Sequence, residues 1–186
     1  MTSDVIETSV GPWRAAVLVG ESRCRFEPHG WLTERELASE ALTAPRSATV
    51  ELRRVGGGIM PWALLAGNYE PGAARGLEVR VAHSGALSGA PAHGCVGLLG
   101  SSLASGLPQE FAEATLDGLV RFAPETNRSG LLVVDGGAYG VADSSQFAFE
   151  HAAGLLKSAI FGPSSELEMS AASLDQFLRH LDRDEP

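Results

Sequence analysis

The chain has 186 residues, 44% of them hydrophobic, and a formal net charge of −9. This length suits one domain with a proper core, and this composition excludes wholesale disorder. The negative charge disfavours long-range attraction to nucleic acid, which needs clustered Lys and Arg, so we expect no DNA binding. No stretch approaches the ~18 apolar residues of a membrane span, and the first residues show no secretory signal. We therefore expect a cytoplasmic protein without a membrane partner.

Residue types that carry metal or catalytic chemistry are sparse. Cys24 and Cys95 are interpreted as reduced thiols of a cytoplasmic protein. His93 lies close to Cys95, but a zinc site needs three or four ligands, and only Cys24 and His29 could complete it. The Asp-Ser-Ser trio at 143–145 is explained more simply as a helix cap than as a nucleophile with its orienting acid. We predict no metal, no cofactor and no catalytic residue.

The first segment, residues 1–46, is expected to be an appendage built from a strand, a hairpin and a short helix. An apolar run at 13–19 predicts the strand, and residues 24–26 are its expected hairpin partner. Thr33 and Glu36 have the capping-box spacing. They predict a helix of about two turns that ends before the proline at position 45.

The middle segment, residues 47–162, is expected to begin with strands. Apolar and polar residues alternate at 49–55 and again at 77–81, which is typical of half-buried strands. A further strand is expected at about 62–66. The glycine- and serine-rich span 83–106 predicts little beyond one short strand within it.

Two amphipathic helices with a strand between them follow. Pro108 suits the first turn of a helix, whose apolar stripe recurs at spacings of three and four. The run at 131–134 predicts a central strand, and Asp143 is the expected N-cap of a second helix that ends at Gly162. The expected stripes are Leu107, Phe111, Ala114, Gly118 and Phe122 on the first helix, and Ala148, Ala152, Leu155 and Ala159 on the second.

Residues 163–186 are expected to form a final helix, at about 166–181, and an acidic tail. One leucine stripe marks that helix. Strands followed by amphipathic helices, with antiparallel turns early in the chain, predict a two-layer α/β sandwich. The leucines of the stripe are Leu167, Leu174, Leu178 and Leu181.

Two stretches carry a resemblance to a known family. The first reads Gly-Leu-Pro-Gln-Glu-Phe at 106–111 and continues to Ala114 and Gly118. The second reads Asp-Gly at 135–136, then Tyr139, then Asp-Ser-Ser at 143–145 with Ala-Phe behind it. In this order the two stretches resemble domain IV of translation elongation factor G. The resemblance spans residues 49–161, roughly three-fifths of the chain.

The resemblance implies a fold and a contact surface. The family domain is a β-α-β sandwich with a left-handed crossover, and its two tip loops reach the decoding centre of the ribosome. In this chain the implied tips are 55–60 and 136–142. Tyr139 offers a face for stacking on a base, and the two arginines before the first tip would contact phosphates. The implied RNA- or partner-binding residues are Arg53, Arg54, Gly56, Gly57, Gly58, Gly136, Gly137, Ala138, Tyr139 and Gly140.

The chain departs from that family in several respects. The family histidine has no counterpart between Tyr139 and Asp143. A GTPase phosphate loop, GxxxxGK[ST], is absent, and Lys157 is the only lysine. GTP-driven translocation is therefore excluded. The predicted fold is an α/β two-layer sandwich with a left-handed β-α-β crossover, extended by an N-terminal hairpin and helix and by a C-terminal helix.

Three functions remain open from the sequence. The first is a non-catalytic binding module that contacts ribosomal RNA or a translation-associated protein through the two tips. The second is a small-molecule-binding protein or enzyme with a pocket in the span 83–106, where His83 or His93 would be the titratable group. The third is a protein–protein role, such as a homodimer formed through the leucine stripe of the final helix. Packing of that stripe on its own domain is the competing interpretation.

Overall fold

The computed structural model contains one large mixed sheet and three helices. It describes residues 4–38, 44–56, 60–72, 76–86, 94–122, 128–162 and 170–183. The strands are β1 (Val5–Val10), β2 (Trp13–Val19), β3 (Gly30–Glu36), β4 (Arg46–Arg54), β5 (Trp62–Pro71), β6 (Leu77–His83), β7 (Gly94–Val96), β8 (Ser102–Ser105) and β9 (Gly130–Tyr139). The helices are α1 (Gln109–Arg121), α2 (Gln146–Phe161) and α3 (Ala171–Arg183).

The strand order is β1-β2-β4-β5-β9-β6-β3, and the β7–β8 hairpin (residues 94–105) joins the sheet through β8 and β9. Neighbouring strands are antiparallel except β6 and β9, which are parallel. The three strands that precede residue 47 pair within this same sheet, since β2 lies beside β4 and β3 lies beside β6.

The fold-class prediction is wrong. The described residues form mostly a nine-stranded mixed sheet with three helices, not a two-layer α/β sandwich with a left-handed β-α-β crossover. The error comes from strands that the sequence pattern did not reveal, namely β1, β3 and one strand of the β7–β8 hairpin. Short strands and edge strands carry weak signals because only part of each strand is buried.

Residues Thr33–Glu36, where a helix was predicted to begin, belong to strand β3, and residues 39–43 of the predicted helix lie outside the described residues. This strand pairs with β6, with Thr33 opposite Arg80 and Glu36 opposite Leu77. Its residues are mostly exposed, as expected at the edge of a sheet. The Glu36 carboxylate accepts a hydrogen bond from Lys157 Nζ in α2 at 3.0 Å, so this residue is committed to a tertiary ion pair and not to a helix cap.

Residues 24–26 do not form the predicted hairpin with β2, which lies between β1 and β4. The segment 20–29 instead crosses β9. Arg25 forms an isolated bridge with Gly136, and the N–H of Gly137 donates to the main-chain oxygen of Cys24 at 3.1 Å.

The two faces of the sheet bury different clusters. On one face, alternate residues of the central strands, such as Val50, Leu65 and Val134, pack with Phe149 of α2 in the main core. On the other face a smaller cluster joins β5, β8 and β9, and both cysteines pack against it. The members of this smaller cluster are Trp62, Leu64, Leu103 and Ala138.

The predictions of α1 and α2 are confirmed. α1 begins directly after Pro108 and buries most of its expected stripe against α2. The N-cap of α2 is Ser145 instead of Asp143, and its Oγ accepts a hydrogen bond from the N–H of Ala148 at 3.3 Å. α2 ends at Gly162, as the sequence predicted.

Helix α3 packs its leucine stripe on its own sheet. Leu174, Leu178 and Leu181 are buried, and α3 lies against β1 and β2. Thr8 Oγ1 of β1 donates to Asp175 Oδ1 of α3 at 2.7 Å. The described part of the stripe is therefore used within the chain, whereas Leu167 lies outside the described residues. None of the described helices is long and apolar enough to cross a membrane.

Candidate functional site

The described parts of the two segments implied as tips lie at the same end of the sheet, where β5 begins. Arg54, the last residue of β4, donates its N–H to the main-chain oxygen of Pro61 at 2.9 Å, directly before β5 begins. In the turn after β9, Ser144 Oγ donates to the main-chain oxygen of Trp62 and accepts from the N–H of Gly140 at 2.9 Å. We call residues 53–56 together with 140–143 the sheet-end surface.

The arginines at this end are held by the protein. The Arg53 guanidinium carbon lies 4.4 Å from the ring centroid of Trp62, within the range of a cation–π contact. Its Nη1 also donates to Ser101 Oγ at 3.2 Å. Arg54 is half-buried and lies opposite Trp13 of β2. Trp62 and Ser101 thus occupy one face and one nitrogen of the Arg53 guanidinium, which reduces what Arg53 could offer to the phosphate that the resemblance implied.

The exposed part of the sheet-end surface is apolar and open. Val55 is 43% exposed and Val141 is 56% exposed. Gly56 has a φ of +96°, and a side chain there would meet nothing within 4 Å. A partner could therefore approach the main chain at this position closely. Gly57 and Gly58, also predicted as contact residues, lie outside the described residues.

The second implied tip begins later than predicted. Residues 136–139 belong to β9, so the tip implied at 136–142 is reduced to a turn that follows Gly140. Ala138 is fully buried, and Tyr139 is only 5% exposed. The Tyr139 ring packs beside Phe111 with the ring centroids 6.0 Å apart. The aromatic face predicted for base stacking thus contributes to the core.

Gly136 serves a close crossing of two chain segments. A Cβ at Gly136 would lie 2.8 Å from Ala66 Cβ and against the main-chain oxygen of Arg23. Gly136 therefore allows the main chain of the segment 20–29 to lie directly on β9, whereas a Cβ at Gly137 would lie 3.3 Å from Leu107 Cβ. The glycines therefore have a packing reason in this structure.

A buried carboxylate lies beside Trp62, and the sequence pattern did not mark it as a site. Glu51 of β4 accepts hydrogen bonds from Trp62 Nε1 at 2.7 Å and from the N–H of Leu99 at 2.9 Å. Burial raises the pKa of Glu51 above its ordinary value, although the hydrogen bonds from Leu99 and Trp62 oppose that shift. A Cβ at Gly97 would lie 2.9 Å from Glu51 Cδ, so the turn between β7 and β8 closes over this carboxylate only with glycine.

The two cysteines, interpreted from the sequence as reduced thiols for which nothing required a bridge, lie in contact. Cys24 Sγ and Cys95 Sγ are 2.6 Å apart, and both side chains are partly buried. Cys24 has a φ of +52°, a left-handed conformation that costs a residue with a side chain about 1–2 kcal/mol. No spacing rule could have joined them, because they come from different elements that meet only in the folded sheet.

The histidines do not complete a metal site within the described ranges. No group of three or more His, Cys, Asp and Glu residues that could hold a metal ion occurs there. His29 lies beside His83, with the ring centroids 5.9 Å apart. His93 lies outside the described residues, and so do its neighbours 87–92 in the span where a pocket was predicted. That pocket therefore stays a prediction.

An open cleft of about 520 Å³ lies at the opposite end of the sheet. It is formed where β5 ends and where β6 and β9 begin, and it is lined by Glu36, Glu70 and Glu78 together with Arg35 and Arg80. Arg35 and Arg80 both form salt bridges with Glu78 across this wall. The mixture of paired charges gives the cleft no single chemical preference.

No family model, characterised protein or solved structure matches this chain. The resemblance to domain IV of elongation factor G therefore rests on the two quoted stretches alone. In the structure these stretches pack on each other: the N–H of Gly106 donates to the main-chain oxygen of Gly137 at 2.9 Å. Phe111 stacks on Phe149 with the ring centroids 4.6 Å apart. The residues that carry the resemblance thus belong to one packing unit of α1, β9 and α2.

Proposed function

We propose that this protein is a non-catalytic binding module that contacts the ribosome through the sheet-end surface. One observation carries the proposal: two segments far apart in the sequence, both implied as tips by the resemblance, lie on the same end of the sheet. Trp62 holds them together, because the turn after β9 bonds to its main chain and Arg53 stacks on its ring.

The chemistry of this surface favours contact by shape and apolar burial. Val55 and Val141 are exposed, and Gly56 leaves its main chain open. The net charge of −9 opposes long-range attraction to RNA. If both Arg53 and Arg54 reached phosphates, log K would fall with log salt with a slope of only about −2. We expect binding that depends weakly on salt.

The test is co-sedimentation of the purified protein with ribosomes and with isolated small subunits over a salt series. The informative variant is Val55→Glu combined with Val141→Glu, because both side chains are exposed and their replacement leaves the core intact. Its matched control is Val120→Glu, a valine of α1 that is 41% exposed on the helical layer. Tyr139→Ala is unsuitable because this buried ring supports the fold.

The proposal expects the wild type and the control to pellet with the small subunit alike. The double variant should bind at least about tenfold more weakly, since each buried valine is worth about 1.5 kcal/mol or more. Absence of binding at low salt would refute the ribosomal partner. Equal binding by the double variant would refute the sheet-end surface as the contact.

A further inference from the structure

The thiol pair, Cys24 and Cys95, has a geometry suited to covalent chemistry. Its sulfur atoms are 2.6 Å apart, compared with about 2.05 Å in a disulfide bond, so bond formation requires a movement of roughly half an ångström. The two residues are 71 positions apart in the chain. Their contact is therefore a product of the tertiary structure and not of a local turn.

Both cysteines are fixed to the sheet through their main chains. On one side, the main-chain oxygen of Cys24 accepts a hydrogen bond from Gly137 of β9, and the N–H of Arg23 donates to Thr49 Oγ1 of β4 at 3.0 Å. On the other side, Cys95 lies opposite Leu103 in the β7–β8 hairpin, and β8 pairs with β9. Both sulfurs are thus positioned relative to β9.

We propose that Cys24 and Cys95 form a reversible dithiol/disulfide site that is oxidised by a low-molecular-weight disulfide. The Cys24 thiolate attacks one sulfur of the oxidant RSSR, which gives a Cys24–SR mixed disulfide and releases RS⁻. Cys95 then attacks the Cys24 sulfur, its proton passes to the second departing RS⁻, and the intramolecular disulfide closes. The first RS⁻ takes up the proton lost by Cys24, so two thiols and RSSR become one protein disulfide and two RSH.

The order of the two cysteines follows from their surroundings. The hydrogen bond with Cys95 lowers the pKa of Cys24, against the opposing effect of burial. The same hydrogen bond and burial both raise the pKa of Cys95. Cys24 is therefore the thiol that exchanges with the oxidant, and Cys95 is the resolving thiol.

Oxidation would join the two parts that cover the second face of the sheet. The disulfide links the segment 20–29 to the β7–β8 hairpin, whose turn supplies the N–H of Leu99 to the buried Glu51 carboxylate. In the reduced form the hairpin is held by its pairing with β9 and by this contact. In the oxidised form it is also tied covalently to a segment that hydrogen-bonds to β4 and β9. The oxidation state therefore sets the rigidity of the layer beside Trp62.

The test uses the full-length protein equilibrated with mixtures of glutathione disulfide and glutathione, followed by alkylation of free thiols and mass spectrometry. We expect both thiols to become resistant to alkylation together. The oxidised protein should weigh about 2 Da less than the reduced protein before alkylation, with no added glutathione and no covalent dimer. Dithiothreitol should restore both thiols. Hydrogen exchange in the β7–β8 hairpin should slow on oxidation.

Two variants separate the roles of the cysteines. Cys95→Ser should accumulate a mixed disulfide with glutathione at Cys24, whereas Cys24→Ser should form one at Cys95 at least about tenfold more slowly. Circular dichroism shows whether each serine variant is folded. If one variant folds poorly, the measurement on the wild type still tests the proposal. The proposal is overturned if both wild-type thiols stay alkylatable in excess glutathione disulfide, if only covalent dimers form, or if dithiothreitol cannot restore the thiols.

Discussion

Gly118 provides a sharp test of how the two main helices pack. This glycine belongs to one of the stretches that resemble elongation factor G, and it lies in α1 where that helix meets α2. A Cβ at Gly118 would lie 2.9 Å from Ala153 Cβ and 2.8 Å from the carbonyl carbon of Glu150, with the carbonyl oxygen closer still. The optimum for such contacts is about 3.5–4.0 Å, so Gly118→Ala must push the helices apart by about 1 Å.

The expected cost combines two opposing effects. Overpacking against a main chain costs up to about 3 kcal/mol, whereas replacing glycine with alanine within a helix returns about 1 kcal/mol. We therefore expect Gly118→Ala to lose about 2 kcal/mol of unfolding free energy and to lower Tm by about 4–8 °C. Urea denaturation followed by circular dichroism measures this loss.

The control is Asp117→Ala on the exposed side of the same turn, which should change stability by less than about 0.5 kcal/mol. A Gly118→Ala protein as stable as the wild type would refute the close packing of α1 on α2.

Three further predictions concern buried polar groups. Glu36→Ala should destabilise the fold by about 3–5 kcal/mol, because it leaves the fully buried ammonium of Lys157 without its carboxylate. Lys157→Met should cost less, because the Glu36 carboxylate that it leaves behind retains access to water. Thermal unfolding of both variants measures the two losses, and equal losses would contradict this order. Tyr69→Phe should cost about 1–2 kcal/mol, since the phenol donates to the main-chain oxygen of Ser129, and an unchanged urea midpoint would contradict that bond. The raised pKa of Glu51 means that the folded state binds this proton more tightly than the unfolded state, so the stability from this group is full below pH 4.5 and is lost as the pH rises through the raised pKa. The stability of the wild type relative to Glu51→Gln should therefore fall as the pH rises above 4.5 in urea titrations, and a constant or rising difference would contradict the shift.

The sequence predicted well those elements in which buried residues recur at a regular spacing along the chain. The stripe of α1 recurs at three and four residues, so its buried face could be named in advance. The apolar run at 131–134 is the first half of β9, and the alternation in β4 and β6 identified both strands. In each case the pattern is set by one continuous buried surface.

The failures come from elements whose structure depends on distant partners. In β3, the Thr33–Glu36 spacing suits a helix cap equally well, and the sequence holds no sign that Glu36 pairs with a lysine 121 residues away. Among the described strands, β3 also lies at an edge, where only one side of the strand is paired. Local propensity could not decide between the two structures.

The candidate site was predicted in outline only. The described parts of the two segments that the resemblance indicated lie at the same end of the sheet, but the glycines of the second segment were taken as loop residues. Gly136 lies in a strand because Arg23 and Cys24 cross directly over it, which is a tertiary constraint. Cys95 and the buried Glu51 were not predicted to share a region, because sheet topology alone brings the β7–β8 hairpin over β4.

The most direct test of the proposed function is hydrogen–deuterium exchange of the protein alone and with an excess of small ribosomal subunits. The account predicts slower exchange at residues 53–56 and 140–143, with unchanged exchange in α3 and in β3. Protection confined to β3, α3 or the open cleft would contradict the sheet-end surface. The absence of any protection under conditions of excess subunits would contradict the ribosomal partner itself.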